Sequence, residues 1–265
     1  MSYVTDLLTV IAAPTASEKA ACLTAIVVPT KDTWPLPELP ALPGRPAHFR
    51  TNEIPPRRRR TLSHAPTRNR FLLAIHHIEL SAVDLAVLAC LRASGAPPEL
   101  HHDFLDIARD EARHAQLLEE LLARRGLAPG DEPVHYRLWQ TALDCSDLGE
   151  HLVAVPRFLE ARGLDVSAEL LPRLVGLDPE AHAVLSIIYQ DEIGHVAVGC
   201  RWHQWWCVRE NIDPESHFRT VVSARFPGQV PGPTPLDHPG RRQAGFSALD
   251  LQWLAEGEIE VGQRG

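Results

Sequence analysis

Apolar residues recur every three or four positions along four long stretches of this chain, a period that predicts amphipathic helices. A Gly/Pro sequence at 95–98 ends the first stretch, and Asp178 with the proline after it provides an N-cap and first helical position for the fourth. The third stretch contains Pro156 and a polar interruption at 145–147, so we expect the helix to be broken or kinked at 145–147 and again before Pro156, and to end at Gly163. The predicted helices cover residues 67–94, 98–125, 135–162 and 178–210.

The segments on either side of these helices have weaker patterns. Residues 1–28 predict one or two short helices, and further short helices are expected over 170–175, 213–224 and 247–255. Residues 29–66 contain nine prolines, which exclude a regular helix or a central strand. Their apolar side chains are too frequent for a solvated linker, so we expect an extended strap lying over the helices.

Two of the four apolar stripes carry the same polar motif, a glutamate followed three residues later by a histidine. An i, i+3 spacing places both side chains on one face of a helix. A further glutamate precedes each motif by 32 residues, on the preceding helix. Two halves of this composition are what a dinuclear metal site in a four-helix bundle requires. The candidate ligands are Glu79, Glu111, His114, Glu160, Glu192 and His195.

The apolar period assigns five of these residues to the helix interior, whereas for Glu160 the periodic stretch near Pro156 is short. Four ionised carboxylates gathered in an apolar core would repel one another and take up protons. Two divalent cations would cancel their charge, and two neutral imidazoles would complete the coordination. Carboxylate and imidazole donors favour iron or manganese over the thiolate-rich sites of structural zinc. The alternative is a chance occurrence on two surface helices, which the equal spacing of the two halves makes the weaker interpretation.

Two aspartates are candidates for orienting the ligand histidines. Asp110 and Asp191 each directly precede a ligand glutamate, and ligand histidines usually donate their second ring N–H to a carboxylate. We expect Asp110 to orient His195 and Asp191 to orient His114. The alternative for both is a solvated carboxylate on the flank of its helix.

Two further residues lie one turn before a ligand glutamate on the same helix. His76 is either an additional ligand or proton donor, or a histidine of the core. Tyr189 is either a redox-active or hydrogen-bonding group near the metals, or a packing residue. Beyond the metal centre itself, the sequence indicates no catalytic residue.

Length and charge limit the function classes. The chain has 265 residues, a formal net charge of −8, and five cysteines without a Cys-x-x-Cys spacing. It shows no secretory leader and no uncharged apolar run near the ~20 residues that span a bilayer, so we expect a cytoplasmic protein without a membrane partner. The acidic balance disfavours nucleic acid, and we interpret the basic run 57–60 as a solvated turn rather than a phosphate contact.

These motifs resemble those of a known superfamily. The sequence Asp-Glu-Ala-Arg-His at 110–114 is close to the Asp-Glu-x-Arg-His signature of ferritin-like di-iron carboxylate proteins. More narrowly, the chain is similar over roughly residues 45–255 to an uncharacterised bacterial family of ferritin-like proteins. The narrower resemblance is carried by the stretches 76–80, 110–114, 159–165, 191–195 and 244–247.

The resemblance implies an all-α protein with a ferritin-like four-helix bundle and the six ligands above, Glu160 included. The predicted division is 1–66 for the N-terminal helices and strap, 67–211 for the metal-binding bundle, and 212–265 for short helices packed on it. The two halves are not equivalent, because Gly194 stands where Arg113 stands in the first motif.

The site chemistry favours an oxygen-activating di-iron oxidoreductase: an oxygenase, such as a monooxygenase or hydroxylase, or an oxidase. It would use dioxygen or peroxide and a small organic substrate, with a reductase or ferredoxin as electron donor, as a monomer or small homo-oligomer. Segments beyond the bundle would roof a substrate pocket, and they lower the expectation of a compact iron-storage subunit.

Four alternatives stay open from the sequence. They are a ferroxidase or other iron-handling protein, a peroxide scavenger with manganese or a mixed manganese–iron pair, a hydroxylase of a tRNA nucleoside, and a helical interaction module without metal. The module would lose little stability if Glu111 or His195 became alanine. A haem-bridged form is excluded, because it needs an internal methionine and the chain has only Met1.

Overall fold

A computed structural model describes residues 2–30, 33–51 and 62–257. This part of the chain is helical, and its β-structure is confined to an isolated bridge between Thr51 and Val134. The expected all-α class is therefore confirmed for the described residues. The basic run 57–60 lies outside them.

The described helices have the following bounds. They are α1 (Tyr3–Ala12), α2 (Ala16–Thr24), α3 (Ala65–Arg92), α4 (Pro98–Arg124), α5 (Arg137–Leu143), α6 (Leu148–Leu152), a π-helix (Val153–Glu160), α7 (Ala161–Leu177), α8 (Pro179–Glu210), α9 (Pro214–Arg225), α10 (His238–Gln243) and α11 (Ala248–Glu256).

The chain forms two compact units, the first made of Met1–Asp144 and Leu174–Val184. Within it α3 packs along α4, and α1 and α2 pack against this pair. By length and composition α3 is apolar enough to cross a membrane, but 78% of its apolar window is buried inside the protein. Burial in the core of the first unit therefore accounts for the high hydropathy of α3.

The proline-rich segment 33–51 runs without regular structure and is fixed to the first unit by hydrogen bonds. The indole of Trp34 donates to the carbonyl of Leu91, at 2.9 Å. The indole of Trp139 donates to the carbonyl of Pro40, at 3.2 Å. Since prolines cannot donate a backbone N–H, these side-chain donors take over part of the hydrogen bonding that a strand would provide.

A buried charge cluster ties the same segment to α3. Asp84 of α3 forms ion pairs with Lys19 of α2 at 2.6 Å and with Arg45 at 2.8 Å. All three side chains are at most 2% exposed. Two cations thus share one carboxylate inside the first unit.

Asp178 joins three helix ends of the first unit. It caps α8 by accepting from the backbone N–H of Ala181, and it pairs with Arg125 at the end of α4 and Arg68 of α3. Burial raises the pKa of this carboxyl, but its hydrogen bonds with Arg125 and with the backbone outweigh burial and lower the pKa overall. The helix cap predicted at Asp178 is confirmed, and it also fixes the helices that carry the first ligand motif.

The second unit comprises Cys145–Arg173 and Leu185–Gly265. The π-helix packs against α6 and α9. Its core also includes buried residues of α8 and α11, among them Val196 and Trp253. The stacked rings of Phe158 and Phe226, 4.2 Å apart, lie in this core. The C-terminal helices are therefore part of the hydrophobic core of the second unit.

The third long helix is interrupted near 145–147 as predicted, because α5 ends at Leu143 and α6 begins at Leu148, but it differs from its prediction farther on. Pro156 does not break it, because the backbone passes through a π-helix that contains this proline. Gly163 does not end it, because α7 continues through Gly163 and Pro172 to Leu177. The short helix predicted over 170–175 is the last part of α7.

The ends of the other long helices agree with their predicted bounds to within two residues. The additional helix α10 was not expected, because the Gly/Pro-rich sequence 227–240 hides its start. Its N-cap is Asp237, whose side chain accepts from the backbone N–H of Gly240. Pro239 is the second residue of α10, in the first turn, where its missing backbone N–H would have no partner within the helix.

Substitution of Gly199 should test the close contact between α8 and the π-helix. A Cβ at Gly199 would lie 2.4 Å from the Cβ of Pro156, so Gly199→Ala should lower the free energy of unfolding by about 1–3 kcal/mol. The control is Gly194→Ala on the same helix, where nothing lies within 4 Å of the added carbon. There the better helix propensity of alanine should leave stability unchanged or raise it by about 0.5–1 kcal/mol. Urea denaturation of both variants measures the difference, and equal effects would contradict the contact.

Substitution of Asp84 should be strongly destabilising. Asp84→Asn leaves Lys19 and Arg45 buried without a counter-charge, and we expect a loss of about 3–5 kcal/mol of unfolding free energy. Asp106→Asn is the control, since its pair with Arg109 is exposed and should contribute less than about 1 kcal/mol. Denaturant unfolding compares the two, and an Asp84→Asn protein as stable as the control would show that the cluster is not needed.

Candidate metal centre

The first unit holds one half of the predicted ligand set where α3 meets α4. Glu79 lies on α3, Glu111 and His114 lie on α4, and all three are at most 5% exposed. Nδ1 of His114 lies 3.2 Å from Oε2 of Glu79 and 3.4 Å from Oε2 of Glu111. One donor atom from each residue falls within 4.8 Å of the other two. The first unit therefore brings two carboxylates and an imidazole to one buried place.

The electrostatics of this group follow from its burial. Burial raises the pKa of Glu79 to about 7, and the charge of Glu111 adds to the rise. Burial lowers the pKa of His114, but hydrogen bonds and charge attraction from Glu111 and Glu79 outweigh it and raise the pKa overall. Even with the imidazole protonated, two ionised carboxylates leave one negative charge in excess.

This donor set fits a divalent metal. Two carboxylates and one neutral imidazole would balance the charge of one cation, with hard oxygen donors and a nitrogen donor of the kind that iron and manganese accept. Zinc in structural sites prefers thiolates, and this group contains none. The residues of the first unit thus have the chemistry to hold one such ion.

The second unit carries the other predicted ligands. Glu192 and His195 lie one turn apart on α8, with Oε1 of the glutamate 3.7 Å from Nδ1 of the histidine. His195 is buried, and Glu192 is partly buried. Glu160 is the last residue of the π-helix, so its backbone differs from that of Glu79 in the regular helix α3. The two halves share a sequence spacing but not a backbone conformation.

The two aspartates expected to orient histidines are both partly exposed. Asp110 is partly exposed, and its Oδ1 accepts from Nη2 of Arg113 at 3.1 Å. Asp191 occupies a partly buried position on α8. Their orientation of His195 and His114 stays a prediction.

His76 and Tyr189 each have a protein partner. His76 is buried, and its Nε2 lies 3.0 Å from Oε1 of Glu119 on α4. The hydroxyl of Tyr189 donates to Oδ2 of Asp237, the N-cap of α10, at 2.7 Å. Each residue therefore has a hydrogen-bond partner within the protein, and its role toward a metal stays a prediction.

A second group of metal-type donors lies in the second unit, formed by His203, Cys207 and His217. Nε2 of His203 lies 2.9 Å from Nδ1 of His217 and 3.3 Å from the sulfur of Cys207. Nδ1 of His203 lies 2.8 Å from Nη1 of Arg157, which can only donate.

That contact decides the role of this second group. Because Nδ1 of His203 accepts from Arg157, the neutral ring carries its proton on Nε2 and donates it toward His217. Burial, together with the charge of Arg157, lowers the pKa of His203 to about 2, so the ring is neutral. The lone pair that a metal would need is occupied, and the group is a hydrogen-bonded chain.

The sequence analysis did not predict this donor group or the buried ion pairs of the second unit. Arg157 pairs with Asp250 across 93 positions of the chain, and Arg241 pairs with Asp165 across 76. The i, i+4 spacing of His203 and Cys207 was a readable signal for a shared helix face. The pairings themselves depend on long-range packing that no local pattern reports.

Comparison with known proteins adds the family. The profile of a family described as "Protein of unknown function (DUF455)" matches residues 8–252. A protein of Haemophilus influenzae, described as an uncharacterized protein, is 33% identical over 234 residues, which cover 84% of this chain and 79% of that protein. No solved structure matches this chain.

Substitution of Glu79 should stabilise the metal-free protein. Because the folded-state pKa of Glu79 lies above its ordinary value of 4.5, folding loses stability as the pH rises from there to about 7. Glu79→Gln removes this penalty, so we expect a gain of about 1–3 kcal/mol at pH 8 that shrinks below pH 5. Urea unfolding in the presence of a chelator, at pH 8 and below pH 5, measures the gain and its decrease.

The exposed Glu120 of α4 provides the control for this measurement. Glu120→Gln should leave the unfolding free energy within about 0.5 kcal/mol of that of the unsubstituted protein at both pH values. A Glu79→Gln protein less stable than the unsubstituted one at pH 8 would show that the buried acids carry no penalty.

Proposed function

Because the chain belongs to the DUF455 family of proteins of unknown function, its activity must be inferred from its site, and we propose that it is a di-iron carboxylate protein with a ferritin-like four-helix bundle. The observation that carries the proposal is the buried group of Glu79, Glu111 and His114. Two carboxylates beside one imidazole have an unbalanced charge that a divalent cation would correct.

Two ions are proposed because the ligand inventory occurs twice. The first unit contributes a lone glutamate and a Glu-x-x-His motif, and the second unit contains the same combination in Glu160, Glu192 and His195. Each set has the charge and donor types for one ion. Iron is the proposed metal, with manganese or a mixed manganese–iron pair as the alternative.

The proposed reaction is oxidation of an organic substrate, as in an oxygenase or hydroxylase. Reduced iron in a carboxylate-rich site supplies the capacity to activate dioxygen. The protein's own contribution is ligand geometry and exclusion of water, which the burial of Glu111 and His114 favours. The chain also has about a hundred residues beyond the proposed bundle, more than an iron-storage subunit needs.

Metal analysis of ligand variants tests the dinuclear site. After anaerobic loading with ferrous iron and desalting, we expect about two iron ions per chain. Glu111→Ala and His195→Ala should each reduce this to about one, because each variant removes a ligand from one of the two proposed sets. Asp106→Asn, an exposed position on α4, is the control and should retain both ions.

Other outcomes of this measurement have definite meanings. A Glu111→Ala protein that loses all metal, beside a His195→Ala protein that keeps one ion, would indicate a mononuclear site in the first unit. Iron below about one ion per chain in the unsubstituted protein, with none gained from manganese, would contradict the proposal and favour an interaction module.

Size and oxygen uptake separate an oxygenase from an iron store. We expect a monomer or small homo-oligomer by light scattering, whose reduced iron form consumes dioxygen in about stoichiometric amounts and forms no mineral. A large hollow assembly that takes up many iron ions per chain would instead assign iron as the substrate.

A further inference from the structure

Helices α10 and α11 place three polar groups against residues next to the candidate ligands of the second unit. Asp250 of α11 accepts from Arg157, which lies one turn before Glu160. Asp237, the N-cap of α10, accepts from Tyr189, one turn before Glu192. Arg241 of α10 donates to both carboxylate oxygens of Asp165, five residues after Glu160. Two short helices therefore contact both ligand-bearing elements of this unit.

These contacts are buried and specific in geometry. Arg157, Asp165, Arg241 and Asp250 are each at most 4% exposed. The Arg241–Asp165 pair is bidentate, with distances of 2.8 and 2.7 Å, which fixes the relative orientation of the two side chains as well as their separation. Buried ion pairs add little net stability over apolar contacts. We therefore interpret these pairs as specifying how α10 and α11 pack on the π-helix and α7.

Arg157 makes two hydrogen bonds and lies over an aromatic ring. Its Nη2 donates to Asp250 and its Nη1 to His203, both at 2.8 Å, and its guanidinium lies 4.2 Å from the centre of the Phe218 ring. A lysine could not make both hydrogen bonds and the stacking contact, because it lacks the planar fork of donors. The side chain therefore fixes the π-helix in which it lies.

The π-helical backbone determines the direction in which Glu160 points. A π-helical turn is less favourable than an α-helical one, and a change to α-helical geometry would rotate every later side chain about the helix axis. Glu160 is the final residue of the π-helix, three positions after Arg157. Its direction therefore depends on the π-helix being kept.

We propose that α10 and α11 act as a positioning element for the metal ligands of the second unit, with Arg157 and Asp250 as its central pair. The role of this element toward metal ligands rests on the proposed metal centre. The restraint on the π-helix does not, because it is a property of the metal-free chain. Arg157 and Asp250 are positioning residues: they act on Glu160 through the backbone, and Asp237 acts on Glu192 through Tyr189.

Hydrogen exchange of the metal-free protein tests the restraint directly. In Asp250→Asn and Arg157→Lys, we expect faster amide exchange in peptides that cover 153–163, by about tenfold or more, with α3 and α4 unchanged. The control is Glu150→Gln, which alters another arginine–carboxylate pair of the second unit, with Arg225, outside the set that flanks the ligands. It should leave exchange at 153–163 unchanged.

Metal titration of the same proteins tests whether the positioning element affects metal binding. Manganese(II) affinity should fall about tenfold in Asp250→Asn, Arg157→Lys and Asp237→Asn, and the manganese EPR spectrum should change, while Glu150→Gln retains both. Circular dichroism verifies that each variant is folded, and the nearly isosteric Asp250→Asn serves if Arg157→Lys does not fold.

The two possible failures are distinguishable. Unchanged exchange at 153–163 in Asp250→Asn would overturn the positioning element, whatever the metal content. Faster exchange with wild-type manganese affinity and spectrum would overturn its role toward the ligands and leave the metal centre intact. A protein that binds no metal before any substitution would overturn the proposed function, and the role of α10 and α11 toward the metal with it.

Discussion

The burial of Glu79 and Glu111 beside a single imidazole is the constraint on which an account of this protein depends. A carboxylate taken out of water needs a counter-charge or a proton, and two of them within reach of one histidine compete for the same positive charge. Helices α3 and α4 nevertheless hold these groups in the buried interior of the first unit. This unfavourable charge in the metal-free chain is the physical argument that supports the proposed cation site.

Three buried aspartates of the described chain show how a structural carboxylate is accommodated beside a cation. Asp84 lies between an ammonium and a guanidinium, and Asp165 receives a bidentate arginine. Asp178 receives two arginines and a backbone N–H. Each of these aspartates lies beside at least one arginine, which keeps its positive charge. The carboxylates of Glu79 and Glu111 instead lie beside the imidazole of His114, which can lose its proton. That difference in partner separates a functional candidate from the ion pairs that support the fold.

The parts of this structure that sequence reasoning could and could not reach have physical explanations. The helices α3, α4 and α8 were predictable, because an apolar stripe and terminal caps are local signals. Pro156 marked an irregular stretch but not its form, because a proline removes one hydrogen bond and the facing surface decides whether the helix stops or widens. Here Gly199 provides the space that the proline ring occupies, and that residue is 43 positions away. The predicted helix end at Gly163 was wrong. A glycine ends a helix only where the chain can adopt a left-handed conformation or find other hydrogen-bond partners, and α7 instead continues to Leu177.

Among the candidate ligands, the same distinction applies. The spacing of Glu111 and His114 indicated a shared face of one helix, which the structure has, but it carried no information on Arg157 or Asp250. Polar residues that act by holding a backbone need no regular spacing, because their partners come from wherever the chain returns. The sequence halves are alike, yet Glu79 belongs to an α-helix and Glu160 is the last residue of a π-helix, on which we propose a restraint by Arg157. If each half holds one ion, the two ions therefore have different restraints on their ligands, and the second is the one whose geometry the rest of its unit can adjust.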